Sequence, residues 1–243
     1  MIDFSKLFHQ SSKDLRQGGA VNIPSDSEKW PKEWKTIYYK AYPRFRKIPL
    51  LDTPPQKDFY ELVRNRKSER DFTGRVIPLD ALSTLLKYSC GITHMDEKKQ
   101  SRAQASGGAR FALEVYPLIF RGTADVPSGV YHYNVREHAL DVLEEKEFSA
   151  ETISELITYE FARTASMALI ITAIFHRNQM KYGERGYRYM MLEAGHIGQN
   201  VYLNAAALGL KCCALGGTRD ENIERLLGID GITESVMYAL VLG

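Results

Sequence analysis

The stretch MKYGERGYRYMMLEAGHIGQNVYLNAAALGLKCCALGG, Met180 to Gly217, decides how the rest of the chain is read. Met190, Ala194, Ile197, Val201, Ala205 and Leu208 recur at steps of three and four, which places them on one face of a helix. A second face carries Leu192, Gly195, Tyr202 and Ala206, and only a stripe of Glu193, His196, Asn200 and Asn204 is polar. A helix apolar on two faces has to be covered on two sides, so it is predicted to lie in a core or between a core and a partner subunit. Gly209 is its stop. An apolar strand with Cys212 and Cys213 follows, and Gly216–Gly217 closes the stretch. At its start stand Lys181 and Tyr182, two side chains able to move protons.

Working outward, Ala168 to Phe175 is a continuous apolar run suited to a strand buried on both faces. Val115 to Arg121 reads as another strand, and Gly129–Asn134 with Ala139–Leu143 as a hairpin. Helices are predicted over Asp58–Arg66, from an opening at Ile77-Pro78-Leu79-Asp80 to a stop near Cys90-Gly91, over Ala150–Thr158 and over Asp220–Leu227, and a last strand over Val236–Leu242. Ile92 to Ala105 is polar and reads as loop. Strands and helices mix without regular alternation, which predicts an α+β class rather than a doubly wound sheet.

Three segments outside the helix carry candidate chemistry. In RNRKSERDF, Arg64, Arg66, Lys67 and Arg70 surround Ser68. Forked guanidinium donors, a point charge and a hydroxyl suit a phosphate, and they equally suit a solvated helix end. Ser106-Gly107-Gly108-Ala109-Arg110 is a small-residue turn that lets backbone N–H groups approach a ligand, with Arg110 adding charge, or simply turns the chain. Residues 1–55 form a separate N-terminal arm, polar first and then rich in aromatics, prolines and cations, and 56–243 the main domain. Trp30, Trp34, Tyr38, Tyr39, Tyr42 and Phe45 are interleaved with Lys and Arg. Such a pattern can stack on single-stranded nucleic acid, but packing over the domain or a partner is the commoner use.

Composition narrows the classes. A chain of 243 residues, 44% hydrophobic, is ample for a core. With 32 basic and 30 acidic residues the net charge is +2, which argues against general nucleic-acid binding. Three cysteines, Cys90, Cys212 and Cys213, make no disulfide framework, and reduced thiols of a cytoplasmic protein are expected. The N-terminus lacks the apolar core of a signal peptide, and no run is long enough to span a bilayer, so a soluble protein is expected. There is no GxGxxG after a strand, no Walker A loop, no HExxH and no GxSxG. Glu193 and His196 have the spacing of a di-iron motif but lack the second copy it needs, so no metal site is expected.

Taken together, these residues resemble the FMN-dependent nitroreductase superfamily, and within it the SagB-type dehydrogenases. The resemblance runs through WKTIYYKAYPR, the R-x-S-x-[RK]-like phosphate motif at Arg66–Arg70, SGGARFALEVYPLIF and SGVYHYNVREHAL. It is strongest over KYGERGYRYMMLEAGHIGQNVYLNAAALGL and ALGG. It implies an α+β fold around a mainly antiparallel sheet and a homodimer with its long helix at the interface. It implies two FMN sites between subunits. Arg66, Lys67, Ser68 and Arg70 would hold the phosphate and ribityl chain. Ser106, Gly107 and Gly108 would reach the flavin from the other subunit, and Leu215, Gly216 and Gly217 would lie near its reactive edge. The chain lacks the basic C-terminal tail of many nitroreductases, leaving Arg110 or Arg219 as further phosphate partners. Lys181-Tyr182 matches the Lys-Tyr pair of the enzymes that oxidise azoline rings to azoles in ribosomally made peptides, often beside a cyclodehydratase. An unperturbed Lys (~10.4) or Tyr (~10) is a poor base at neutral pH, and the sequence leaves open which of them takes the proton. The alternatives are an NAD(P)H-dependent nitroreductase or flavin reductase acting on small electrophiles, and a non-catalytic flavin-binding or scaffold subunit.

Overall fold

Apolar residues alternate along the central strands, and this alternation builds a core on each face of one sheet. The computed structural model describes residues 7–8, 26–52, 57–95 and 100–243; the polar start of the arm, residues 11–19, lies outside them. Among the described residues the sheet has seven strands: β1 (Lys47–Pro49), β4 (Leu113–Ile119), β5 (Gly129–Asn134), β6 (Ala139–Glu145), β7 (Met167–Ile174), β8 (Cys212–Leu215) and β9 (Glu234–Leu242). They lie in the order β1-β6-β5-β4-β7-β9-β8, every pair antiparallel. A separate two-stranded hairpin, β2 (Ile92–Met95) with β3 (Gln100–Arg102), occupies the segment expected to be loop. Its backbone pairing does not depend on an apolar face, so hydropathy could not reveal it.

Seven α-helices flank the sheets among the described residues: α1 (Lys32–Lys35), α2 (Phe59–Asn65), α3 (Leu79–Cys90), α4 (Ala150–Leu156), α5 (His176–Tyr182), α6 (Arg185–Leu208) and α7 (Asp220–Leu227). Local chemistry sets several starts. Asp58 accepts a hydrogen bond from the Glu61 N–H at α2, and Ser149 accepts one from Thr152 at α4. Leu113, Val115 and Ile119 with Leu169, Ile171 and Ala173 meet α3 and α6 on one face. Leu118 and Phe120 with Ala168 and Ile170 meet α4 and α7 on the other. This period of two is what a sheet covered on both sides requires.

The described part of the arm packs over its own domain. Trp34 and Ile48 are buried, and β1 pairs with β6. Beneath it the sheet carries buried charge. His132 lies between Glu114 (3.0 Å) and Asp141 (3.1 Å), and Arg177 donates to Glu114 (2.5 Å). Lys40 of the arm pairs with Glu234, and the Tyr42 N–H donates to Asp141 (3.2 Å). Burial opposes ionisation of Glu114, but the His132 hydrogen bond and the Arg177 charge outweigh it and hold the carboxyl at about 2.

The long helix keeps its predicted core face, while the burial of one residue of its polar stripe and the separate helix before it emerge only from the structure. Met190, Ala194, Ile197, Val201 and Ala205 are buried as predicted. Leu192 is 56% exposed, and Gly195 is also exposed, so the second apolar face is open on the protomer. Glu193, assigned to the polar stripe, is only 1% exposed. Lys181 and Tyr182 belong to a separate helix, α5, that ends at Gly183 with φ 53° and ψ −143°. L-residues rarely adopt that backbone conformation, so Gly183 sets the angle between α5 and α6. A Cβ at Gly183 would meet nothing within 4 Å, so Gly183→Ala isolates the backbone cost. It should lower stability by about 1–3 kcal/mol in urea unfolding. Gly195→Ala, equally uncrowded but helical, should instead raise it by up to about 1 kcal/mol.

Candidate functional site

The predicted site residues fall into two groups, one toward each end of α6. The first begins where α2 stops. The Arg66 N–H caps α2 on the Leu62 carbonyl (2.9 Å), and the Glu69 N–H donates to Cys212 O (2.9 Å), which ties the cationic segment to β8. The Arg66 guanidinium lies 5.2 Å from the centre of the Tyr202 ring. The Tyr202 hydroxyl accepts from the Ala214 N–H (2.7 Å) and shares a hydrogen bond with Ser68 Oγ (2.8 Å). Tyr202 thus joins the hydroxyl, a cation and β8, although its sequence position marked it only as part of an apolar face. Lys67 is exposed and 3.3 Å from Glu69, and Arg70 lies 5.9 Å from the Phe161 ring. A cavity of about 250 Å³ opens here, lined by Arg66, Lys67, Glu69, Tyr202, Lys211 and Cys212, while Ser68 and Arg70 are not among its lining residues.

At the far end of β8, Leu215 is buried and Gly216 exposed. Gly217 accepts at its carbonyl from the Thr158 N–H (3.0 Å) and hydroxyl (2.9 Å), while Tyr159 closes over its Cα. The exposed backbone at Gly216, where a Cβ would find only the Tyr159 hydroxyl at 3.8 Å, leaves room for a flat group. Cations and a hydroxyl beside a hollow, with open backbone nearby, are a donor set that fits an FMN phosphate and ring.

The second group is built on the start of α6 and on α5. Gly107–Ala109 is a 3-10 turn, and Gly108 (φ 61°), Ala109 (φ 52°) and Phe111 (φ 47°) are all left-handed. Strain of this kind persists only where the surroundings hold it. Ser106 does the holding: its hydroxyl donates to Glu193 (2.6 Å) and accepts from the Phe111 N–H (2.9 Å). Gly107 lies against the Tyr189 ring, and a Cβ on Gly108 would strike the Tyr182 hydroxyl and stand 3.0 Å from Lys181 Nζ. The structure therefore brings the double-glycine turn and the Lys-Tyr pair together. Tyr189 and Tyr202, thirteen residues apart on α6, are separated by about 20 Å of helix, so the two groups are not adjacent within one protomer.

Lys181 is 1% exposed, and among the described residues its amine has no hydrogen-bond partner. Burial, and then the charge of Arg110, lower its pKa to about 8. Burial, and then Tyr189, raise that of Tyr182. The sequence does not distinguish the two groups; their environments do, since the amine is shifted toward its neutral form and the phenol is held protonated. Arg110 is not available as a phosphate partner, contrary to expectation. It is buried, and it donates to the carbonyls of Trp34 (2.7 Å), Thr36 (3.0 Å) and Arg177 (2.8 Å). His196 Nδ1 donates to the Ala105 carbonyl (3.1 Å).

The architecture is that of an α+β protein with two groups of candidate residues joined by one helix. The nitroreductase family model matches residues 63–243, and the chain belongs to that family. It is 32% identical over 169 residues to a nitroreductase-family protein of Methanocaldococcus jannaschii, covering 70% of this chain and 83% of the relative. It is 33% identical to the trifolitoxin-processing protein TfxB of Rhizobium leguminosarum, over 68% of this chain and 47% of TfxB. Among solved structures, a nitroreductase-family protein of Anabaena variabilis superposes with a TM-score of 0.71 at 26% identity, over 98% of this chain and 45% of that one. The Escherichia coli microcin synthetase McbBCD complex with truncated pro-MccB17 shares the fold (TM-score 0.59, 20% identity, 99% and 91% covered). So does a nitroreductase-family protein of Exiguobacterium sibiricum in complex with FMN (0.54, 12%, 78% and 89%). This chain thus spans less than half the length of TfxB and of the Anabaena protein. Among the described residues no helix is long and apolar enough to cross a membrane.

Glu193 supplies a test of the turn. Burial raises its carboxyl to about 7, against the pull of the Ser106 and Gln104 hydrogen bonds. The folded state therefore binds a proton that the unfolded chain releases near its ordinary value of about 4.3, and stability falls as pH rises from there through about 7. Glu193→Gln removes that ionisation. In urea unfolding it should gain on the wild type by about 1–3 kcal/mol at pH 8, with the gain shrinking as pH falls and vanishing below about pH 4.

Proposed function

We propose that the chain is an FMN-dependent oxidoreductase that works as a homodimer and oxidises azoline rings to azoles in a ribosomally made peptide. The observation that carries this reading is Lys181: a buried amine without a hydrogen-bond partner, packed between the double-glycine turn and Tyr182. A surface lysine would be protonated and solvated; this one is placed and tuned to accept a proton. Similarity to the trifolitoxin-processing protein and to a microcin B17-processing protein supports a peptide substrate, and with it a companion cyclodehydratase of the kind the resemblance implies.

In this reading Arg66, Lys67, Ser68 and Arg70 hold the phosphate and ribityl chain, and the backbone at Leu215, Gly216 and Gly217 lies along the ring. Ser106, Gly107 and Gly108, with Lys181 and Tyr182, come from the second protomer. The separation of the two groups along α6 and the open Leu192–Gly195 face of the same helix support a site shared between two chains. FMN, when bound, takes up the hydride. Lys181 takes the proton from the substrate's α-carbon at Nζ, and the phenol of Tyr182 stays protonated and orients the ring beside it. Gly108 has no side chain because any Cβ would fill the space beside these two groups.

An azoline-containing peptide should be oxidised by the FMN-loaded protein, with kcat/KM rising with pH to a midpoint near the Lys181 value of about 8. Lys181→Ala should cost about 100-fold or more, and Tyr182→Phe less, with FMN still bound. Full activity in both variants overturns the catalytic assignment. Nitroarene reduction by NADPH without azoline oxidation would favour the small-electrophile reductase, and bound FMN without either turnover a scaffold role. Leu192→Glu should yield monomers in sedimentation and lose FMN in the same step; a monomer that keeps its flavin rules out the shared site.

A further inference from the structure

We propose that Trp30, on the arm, is a positioning residue for proton transfer, its indole face stabilising the lysinium that forms when Lys181 takes the substrate's proton. This rests on Lys181 being the base.

The geometry is specific. Lys181 Nζ lies 3.3 Å from the centre of the Trp30 ring and 5.9 Å from that of Trp34, and the two indoles meet edge to face at 6.5 Å. A neutral amine gains little from a ring face, whereas an ammonium is attracted by its quadrupole, most strongly for Trp. The ring therefore acts mainly on the state that exists after the proton arrives, which is the condition for lowering a barrier rather than only tightening binding. Lys181 needs such help, because its buried amine has no carboxylate or carbonyl to receive its N–H groups.

Two devices then act on the amine in opposite senses. Arg110 on one side and Tyr182 on its own helix are the charged and titratable groups that face it, while the arm brings two indoles. Arg110 favours the neutral base. Trp30 keeps the conjugate acid from becoming too costly. Arg110 also fixes the arm, since the guanidinium that depresses the lysine donates to Trp34 and Thr36. The arm and the base thus share one anchor.

The step balances as a proton transfer coupled to hydride loss. The α-carbon C–H bond breaks and its proton bonds to Nζ. The electron pair left behind forms the new ring double bond as a hydride departs from the neighbouring carbon to oxidised flavin. Lys181 later releases the proton to solvent.

The test separates charge stabilisation from packing. Trp30→Leu keeps apolar bulk without the ring, and Trp30→Phe keeps a weaker one. Lys181 is titrated by the NMR shift of its Cε in protein carrying 13C-labelled lysine, assigned by its loss in Lys181→Met, with and without FMN. Trp30→Leu should lower the Lys181 midpoint by about one pH unit and Trp30→Phe by less. The pH limb of azoline oxidation should move equally. In the wild type, indole emission should titrate with the Lys181 midpoint and stop doing so in Lys181→Met, a measurement that needs no Trp30 variant. An unmoved or raised midpoint in Trp30→Leu, or emission that ignores Lys181, overturns the proposal. If the midpoint moves but no azoline is oxidised, the stabilising contact of Trp30 with the lysinium stands, and the dehydrogenase reading fails together with the role in transferring that substrate's proton. If azolines are oxidised with an unmoved limb, the reverse holds.

Discussion

Helix α6 can approach the sheet closely because Gly198 faces the ring of Tyr238, where any Cβ would overlap the aromatic edge. Small residues flank that contact, with Ala194 above it and Ala205 below. The helix is thereby fixed in height and rotation over β9. Everything functional that it carries is fixed with it: Tyr189 against the double-glycine turn, Glu193 under Ser106, and Tyr202 between Arg66 and β8. The two groups of candidate residues are placed by one rigid element rather than by the loops that bear their glycines, and placement on a helix is more precise than placement on loops.

Much of the architecture was legible because it rests on periodicity. The core face of α6, the two-sided burial of β4 and β7, and the hairpin of β5 and β6 all follow from where apolar residues recur. What escaped depends on burial of polar groups, which a sequence does not display. Arg110 reads as a cation ready for an anion, yet it is buried and occupied by three carbonyls. Glu193 reads as part of a solvated stripe, yet it lies beneath the turn. In each case the partner is a backbone group or a residue distant in the chain. The break at Gly183 was hidden for another reason: Lys181-Tyr182 and the helix after it run on without a proline. Only the φ/ψ of one glycine reveals that the pair sits on its own short helix.

The site itself was partly legible. The cation-and-hydroxyl cluster and the double glycines stood out by composition, and Lys181-Tyr182 by resemblance. No pattern pointed to Tyr202 or Trp30, because an aromatic on a helix face or in a basic arm is most often packing. Their importance comes from what they touch. The buried charges under the arm make the same point. Lys40 and Tyr42 are anchored to carboxylates on the sheet, so the arm is held by ionic contacts as well as by its indoles.

Strand β9 lies between β7 and β8, so the latest segment of the sheet in chain order is one of its inner strands. Until residues 234–242 have emerged, Cys212–Leu215 has no neighbour to pair with, and the cationic segment hydrogen-bonded to Cys212 has nothing firm to rest on. Non-local pairings of this kind form slowly. Tyr238 of the same strand is the ring against which Gly198 packs, so α6 takes its final seat over the sheet in that step too. The last strand to emerge therefore seats β8, the cationic segment and the long helix together, and the two groups of candidate residues reach their final placement at once.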